Sequence, residues 1–207
     1  MKLKHFIAAI VSIILLFVGW YTYVHRGYDI VNTPVKDGVF TAFGDSLVQG
    51  VGSEKGGGFV SVLEQKIGKK IINAGISGNT TEDGLARLDK DVLSKKPTLV
   101  FVLLGGNDFL RRLPKEKIFV NLKEIILRIQ KEGSAVVLLG VQGGIFSDGY
   151  NANFETLARE TGSIYVSNVL EGLIGNDVYM HDITHPNDVG YGVISGRIEK
   201  KIRSFLP

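Results

Sequence analysis

The 207-residue sequence contains no cysteine, and this absence excludes several kinds of chemistry at once. A cysteine nucleophile, a thiolate metal site, a disulfide and a lipid anchor on cysteine all require that residue. The absence does not fix the compartment, because a chain without cysteine is stable in oxidising and in reducing surroundings alike.

The sequence also lacks internal repeats, long low-complexity tracts and any block of five like charges. Solenoids and disordered tails are therefore not expected. The net charge of +3 is spread along the chain, which argues against an arm that binds nucleic acid. Neither a Gly-x-Ser-x-Gly motif nor a glycine loop ending in Gly-Lys-Ser/Thr occurs, so an α/β-hydrolase elbow and a P-loop are excluded.

An apolar run without charge occupies residues 6–24, after a basic start that contains Lys2 and Lys4. As a helix it would be about 28 Å long, close to the hydrocarbon thickness of a bilayer. The basic start is expected to stay in the cytoplasm, which places the rest of the chain on the extracytoplasmic side. Because no Ala-x-Ala-like site follows, we favour an uncleaved single-pass membrane anchor. The alternative is a secreted or periplasmic protein after signal cleavage.

We expect three regions in the chain. Residues 1–25 are the membrane anchor or signal sequence, and residues 26–37, which contain Gly27, Pro34 and mixed polar residues, form a linker. Residues 38–207 form one globular domain.

Short β-rich runs alternate with amphipathic segments throughout this domain. The predicted strands are Val39–Phe43, Lys70–Asn73, Thr98–Leu104, Ala135–Val141 and Ser163–Val166. Two of these runs are apolar almost throughout, which is typical of strands buried on both faces and favours a parallel sheet. The sequence therefore predicts an α/β fold, a three-layer α/β/α sandwich with a five-stranded parallel sheet, preceded by an N-terminal transmembrane helix.

Five amphipathic segments between and after the strands have apolar residues at helical spacing. One opens at Thr80 with Asp83 three residues on, which is close to a capping box. Three others end at Gly68, Gly133 and Gly162, as expected for helix C-termini.

Four polar, glycine-rich segments lie at the ends of these strands or before the last helix. They are Gly44–Leu47, Asn73–Asn79, Gly105–Asp108 and His181–Pro186. Ligand sites in parallel sheets lie beyond the carboxyl ends of the strands, so the four segments should converge on one rim. A core needs none of them, whereas acyl transfer needs a nucleophile, a base, an orienting acid and donors for an oxyanion.

The spacing of Asp182 and His185 supports this chemistry. An acid three residues before a histidine, in a loop pinned by a proline, can accept the Nδ1 proton and leave Nε2 free for a serine. Ser46 stands where a strand passes into a helix, so its own N–H can point at a developing oxyanion. Gly78 offers an unshielded N–H and Asn107 a side-chain amide.

These segments resemble the blocks of the SGNH, or GDSL, hydrolase superfamily, and most closely its acyl-CoA thioesterase I, lysophospholipase L1 and arylesterase branch. The similarity is carried by Gly44-Asp-Ser-Leu47, Asn73-Ala-Gly-Ile-Ser-Gly-Asn-Thr80, Gly84-Leu-Ala-Arg-Leu88 and Leu104-Gly-Gly-Asn-Asp108. It extends from Val39 to the C-terminal helix, and it is far more specific than a lone short motif.

The resemblance implies that Ser46 is the nucleophile, His185 the base and Asp182 its partner. It also implies an oxyanion hole made by Gly78, Asn107 and the N–H of Ser46. Family members hydrolyse esters and thioesters without a metal or another cofactor. The segment 141–149 departs from the branch's usual loop after the fourth strand, which leaves the substrate range open.

We therefore expect a serine esterase or thioesterase, resembling GDSL-type lipases, arylesterases and lysophospholipases, that acts through an acyl-enzyme on Ser46. Its partners would be a small-molecule ester, thioester or lysolipid substrate and the membrane, with no nucleic acid. Candidates for lining an acyl site are Leu47, Val48, Leu110, Ile145, Phe146 and Ile183. One alternative is an O-acetyl esterase or acetyltransferase that acts on cell-envelope polysaccharide. Another is an inactive protein that binds lipid or a membrane partner.

Three polar residues near these motifs have simpler interpretations. Asp45 is expected to form local hydrogen bonds rather than to act as the catalytic acid. Asp108 is expected to cap the segment that follows it. His181 and His185 have a spacing that suits a metal on a helix, but Pro186 disfavours helix there, so no metal is expected.

Overall fold

The structure is a computed structural model that describes residues 5, 11–17, 27–33, 35–141 and 150–206. Its sheet has five strands in the spatial order β2-β1-β3-β4-β5, and every neighbouring pair is parallel. The strands are β1 (Phe40–Gly44), β2 (Ile71–Gly75), β3 (Leu99–Leu103), β4 (Ala135–Leu139) and β5 (Ile164–Val166). The predicted parallel sheet is confirmed, with strand bounds that differ from the predicted ones by at most two residues.

Seven α-helices are found in the described residues of the domain. They are α1 (Ser46–Gln49), α2 (Gly58–Ile67), α3 (Thr81–Asp91), α4 (Gly106–Leu110), α5 (Lys115–Lys131), α6 (Tyr150–Thr161) and α7 (Asp188–Ile202). Short 3₁₀ turns follow at Leu93–Lys95 and Arg203–Phe205. The five predicted amphipathic helices are α2, α3, α5, α6 and α7, whereas the single-turn helix α4 is too short for periodicity to reveal.

The helices cover both faces of the sheet, as expected for a three-layer sandwich. Helix α2 packs against α7, while α5 packs against both α3 and α6. The chain runs from β1 outward to β2, and then returns past β1 to build β3, β4 and β5 in the other direction. This reversal creates a crevice at the carboxyl ends of β1 and β3, where ligands of such sheets bind.

The central strands form the middle of the hydrophobic core. Every residue of β1, β3 and β4 is buried. Strands covered on both faces can use apolar side chains at successive positions, which explains their nearly continuous apolar sequences.

The residues predicted to start or end helices do so at α3 and α2. At α3, Thr80 Oγ1 accepts from Asp83 N at 3.3 Å, and Asp83 Oδ2 accepts from Thr80 N at 2.9 Å, which completes a capping box. Gly68 ends α2 with φ of 66°, a left-handed conformation that costs glycine little.

The predicted linker packs along the edge of the domain formed by the amino ends of the strands. The Tyr28 hydroxyl donates to Ser163 O at 2.7 Å, and Asn32 Nδ2 donates to Ser134 O at 2.9 Å. Val31 N also donates a backbone hydrogen bond to Gly162 O at 2.9 Å. Since the two serines directly precede β5 and β4, this segment lies at the opposite edge from the carboxyl ends of the strands.

The predicted membrane-spanning run, residues 6–24, falls largely outside the described residues. Its described part, 11–17, is helical and has exposed side chains. Within the ranges that the structure describes, no helix is both long enough and apolar enough to cross a membrane. Residues 142–149, with the candidate acyl-site residues Ile145 and Phe146, also lie outside the described ranges.

Candidate active site

Ser46 lies at the carboxyl end of β1, where it is the first residue of α1. Its side chain is nearly buried, and the hydroxyl faces the crevice beside β3. Asp45 caps this short helix, because its Oδ1 accepts from Leu47 N at 3.0 Å. The first N–H groups of a helix have no partner within it, so the Ser46 N–H is available to a bound group.

Two side chains from one distant loop, those of Asp182 and His185, line up with this serine. His185 Nε2 lies 2.9 Å from Ser46 Oγ, and His185 Nδ1 lies 2.8 Å from Asp182 Oδ2. Both distances are within ordinary hydrogen-bonding range. The structure therefore brings the three predicted residues together in the order that a proton relay from serine to histidine requires.

The loop that carries His185 is closed by its own hydrogen bonds. Asp182 Oδ1 accepts from the backbone N–H groups of Thr184 and His185, each at 2.8 Å. His181 N donates to the carbonyl of His185 at 2.8 Å, and Met180 and Pro186 form an antiparallel bridge. The imidazole is thus oriented by a preformed turn.

The same contacts keep Asp182 ionised. Partial burial raises the pKa of Asp182, but hydrogen bonds from His185 and Thr184 outweigh it and hold that pKa well below the ordinary value. A carboxylate that remains charged can fix the Nδ1–H tautomer and stabilise the imidazolium that forms when Nε2 takes a proton.

The two other predicted oxyanion donors also reach the crevice. Gly78 and Asn107 line the same cavity as Ser46. Gly78 has φ of 80°, a left-handed conformation that favours glycine, and Arg111 Nη2 donates to its carbonyl oxygen at 2.9 Å. Asn107 Nδ2 lies 3.0 Å from Asn79 O and 3.4 Å from Asp45 Oδ2, so its amide is held between two acceptors at the site.

Asp45 is a second carboxyl group at the site, next in sequence to Ser46. It is 2% exposed, and burial raises its pKa to about 7 against the opposing effects of the Leu47 N–H and His185. The predicted local role is confirmed by the cap that it forms on α1. Its position beside Asn107 also adds a titrating group to the site that the sequence did not reveal.

A cavity of about 640 Å³ opens beside Ser46 and is lined mainly by apolar side chains. Leu47, Leu110 and Ile183 line it, as predicted for an acyl site. Among the residues that the structure describes, the other apolar ones lining it are Phe109, Val141, Tyr150, Leu170 and Ile174. Val48 was wrongly placed in this group, because it is fully buried in the core on the other side of the single-turn helix α1.

Two further residues near the site differ from expectation. Asp108 does not cap the segment that follows it. Its two oxygens accept from the N–H and hydroxyl of Thr81, at 2.9 and 2.6 Å, at the start of α3. Arg87 on α3 has no role predicted from the sequence, yet it donates to Gly44 O at 2.7 Å and to Asn79 Oδ1 at 2.6 Å. Helix α3 is rich in charged residues, so the sequence does not indicate that the side chain of this particular arginine is buried.

A parallel α/β/α sandwich with this serine, histidine and aspartate at its switch point defines an ester hydrolase of the serine type. Residues 42–193 match the GDSL-like lipase/acylhydrolase family, and the chain belongs to that family. The predicted superfamily is thereby confirmed.

Relatives of known name are similar over most of the chain. Esterase TesA of Pseudomonas aeruginosa is 32% identical over 154 residues, which cover 69% of this chain and 77% of that protein. Thioesterase 1/protease 1/lysophospholipase L1 of Escherichia coli is 27% identical over 171 residues, or 79% and 82% of the two chains. A crystal structure of TesA superposes with a TM-score of 0.75 and 28% identity, covering 82% of this chain and all of that one.

Proposed function

We propose that the chain hydrolyses carboxylic esters or thioesters through an acyl-enzyme on Ser46. The observation that carries this proposal is the pair of contacts at His185, with Nε2 2.9 Å from Ser46 Oγ and Nδ1 2.8 Å from Asp182 Oδ2. Such a relay activates a hydroxyl that is otherwise a weak nucleophile near neutral pH.

The reaction has two halves that use the same three residues. As Ser46 Oγ attacks the carbonyl carbon, His185 Nε2 takes its proton. When the tetrahedral intermediate collapses, His185 gives that proton to the departing alcohol or thiol. Water then attacks the acyl-enzyme, loses a proton to His185, and the acid leaves while Ser46 regains its hydrogen.

The developing oxyanion is bound by the N–H groups of Ser46 and Gly78 and by Asn107 Nδ2. All three residues line the cavity beside the hydroxyl. Each such donor contributes roughly 3–4 kcal/mol to transition-state stabilisation in a hydrolase. To donate a hydrogen bond to the oxyanion, the Asn107 amide rotates away from its acceptors Asn79 O and Asp45 Oδ2.

The substrate carries an acyl group that the cavity beside Ser46 receives. A volume of about 640 Å³ with an apolar lining is suited to an alkyl or aryl chain, since burying each methylene contributes about 0.8 kcal/mol. Arylesters, acyl thioesters and lysolipids share this chemistry, and the names of the relatives support these substrate classes for the chain.

The N-terminal run 6–24 anchors the protein in a membrane, with the domain on the extracytoplasmic side. This proposal is supported by the docking of residues 27–33 along the amino ends of the strands, on the edge opposite the catalytic crevice. Serine, histidine and cavity lie at the carboxyl ends of the strands, and we propose that the catalytic crevice faces away from the bilayer. Substrates are therefore taken from the aqueous side rather than directly from the plane of that bilayer.

The test uses the purified full chain with p-nitrophenyl esters of increasing acyl length. Ser46→Ala should lose turnover, whereas Ser94→Ala, which removes an exposed hydroxyl far from the site, should not. A fluorophosphonate should label wild type at Ser46, and mass spectrometry of that adduct also shows whether the N-terminus is cleaved. Equal turnover by wild type and Ser46→Ala would refute the mechanism, and a strict preference for acetyl esters would favour the O-acetyl esterase alternative.

A further inference from the structure

Arg87 on α3 connects several parts of the catalytic rim through one guanidinium. Its Nη2 donates to Gly44 O at 2.7 Å, its Nη1 to Ala74 O at 3.0 Å, and its Nε to Asn79 Oδ1 at 2.6 Å. Nη1 also donates to Asp91 Oδ2, one turn along α3, at 3.0 Å. The side chain is only 13% exposed, so these bonds form largely out of water.

One arm of this fork holds the strand that delivers the nucleophile. Gly44 is the last residue of β1, two positions before Ser46. Its carbonyl accepts from Arg87 and also from Ile76 N at 3.1 Å, after the end of β2. The ends of β1 and β2 are therefore tied together just before α1 begins, and the direction of the Ser46 N–H depends on this junction.

The other arm holds the loop that carries the remaining oxyanion donors. Asn79 follows Gly78 directly, and its side chain accepts from Arg87. The backbone carbonyl of Asn79 in turn accepts from Asn107 Nδ2 at 3.0 Å. Arg87 is thus linked to Gly78 and Asn107 through Asn79, and to Ser46 through Gly44, two positions before it.

The shape of the guanidinium is essential to this arrangement. Its planar fork sends donors to several acceptors at fixed angles, whereas a lysine ammonium is a compact point charge on a flexible stem. The Cζ atom lies 4.4 Å from the centroid of the Phe43 ring, and this stacking fixes the plane of the fork against β1. Lysine has neither the plane nor the reach to replace it.

We propose that Arg87 is a positioning residue that holds the three oxyanion donors in register. This inference rests on the proposed function, because it assigns Arg87 an effect on the transition state of that reaction. A displacement of donors by a fraction of an ångström weakens stabilisation of the transition state more than binding of the ground-state ester.

The experiment measures kcat and KM separately for Arg87→Met and Arg87→Lys, using a short-chain p-nitrophenyl ester. Both variants should lose about tenfold to hundredfold in kcat with little change in KM, and fluorophosphonate labelling of Ser46 should slow in parallel. Asn79→Ala removes only the acceptor on the loop, so it tests the same link in a protein whose strand junction is intact.

Two controls separate positioning from general stability. Asp91→Asn removes the ion pair on the side of Arg87 away from the site, and should lower the melting temperature slightly without lowering kcat. A double-mutant cycle between Arg87→Met and Asn79→Ala should be strongly non-additive in kcat, because both changes break one link. Additive losses, or a kcat for Arg87→Met equal to that of wild type, would overturn the inference.

Ser46→Ala is measured in the same series. If Ser46→Ala retains wild-type turnover, the proposed function fails whatever the Arg87 variants do. If Ser46→Ala is inactive while Arg87→Met and Asn79→Ala keep full kcat, only the positioning role fails.

Discussion

Asp182 holds His185 at two places, with one oxygen on the ring and the other on the main chain. Oδ2 lies 2.8 Å from Nδ1, and Oδ1 accepts the His185 backbone N–H at 2.8 Å. The same carboxylate therefore sets both the path of the loop and the orientation of the imidazole within it.

Asp182→Asn should keep the loop but lose the charge that fixes the imidazole tautomer. We expect kcat to fall by about 10³- to 10⁴-fold with KM nearly unchanged, since the substrate does not contact this residue. Steady-state kinetics on a p-nitrophenyl ester measures the loss, and Asp177→Asn, an exposed neighbour, is the matched control. Because hydrogen bonds hold the pKa of Asp182 below its usual range, its protonation should not limit wild-type activity above about pH 4. A decline through protonation of Asp182 at higher pH would contradict this.

Asp45 should make the folded state less stable as the pH rises toward neutrality. Burial raises its pKa to about 7 in the folded protein, from an ordinary value of about 4 in the unfolded chain. Between these values the folded protein retains a proton that the unfolded chain has released, so stability falls with increasing pH and levels off above about 7.

The measurement compares melting temperatures of wild type and Asp45→Asn across that interval. The asparagine titrates in neither the folded nor the unfolded state. The melting temperature of the variant minus that of wild type should therefore increase from about pH 4 to 7. Asp177→Asn should show a constant difference instead. A constant difference for Asp45→Asn as well would mean that Asp45 ionises normally.

Gly44→Ala should be strongly destabilising, although the change adds one methyl group. The new Cβ would lie 2.2 Å from Leu103 O and 2.4 Å from Val48 Cγ2, and the first of these is backbone in the central strand β3. We expect a loss of at least about 2–3 kcal/mol in urea unfolding. Gly196→Ala, in α7 with open space around it, should instead gain about 0.5–1 kcal/mol from lower backbone entropy. Equal effects would mean that β1 and β3 do not pack as described.

Ile174→Phe should shorten the acyl chain that the site accepts. Ile174 lines the cavity, and a larger ring there takes space from the distal part of an acyl group. Turnover of octanoyl esters should fall by about tenfold or more relative to acetyl esters, while acetyl turnover stays close to that of wild type. Leu127→Phe, on the exposed side of α5, is the control and should leave the ratio unchanged. An unchanged ratio in Ile174→Phe would show that the acyl chain lies elsewhere.

The absence of cysteine allows the proposed anchoring and its orientation to be measured directly. Single cysteines at Ile183, 88% exposed at the cavity, and at Gly27, next to the proposed anchor, can each carry one fluorophore. In proteoliposomes of the full chain, quenchers attached to lipid headgroups should reduce fluorescence from the Gly27→Cys label and not from the Ile183→Cys label. Quenching at Ile183→Cys would place the crevice against the bilayer.

The elements of the fold were accessible to sequence reasoning where a local pattern carried the information. The apolar runs of β3 and β4 are buried strands, and the capping box at Thr80 starts α3. Hydrophobic periodicity, segment length and capping residues are properties of short segments, so they can be recognised without knowing which elements pack nearby. The site residues were found for a related reason, since polar segments after parallel strands share one edge of the sheet.

The sequence by itself therefore determined the class of fold and which side chains gather at its rim. Only the tertiary structure decided that Arg87 ties together the ends of β1 and β2 and the loop at Asn79, that Asp108 caps an earlier helix, and that Val48 turns into the core. The physical reason is that these contacts join residues distant in sequence, and their geometry follows from how whole elements pack. No periodicity within one segment records that packing.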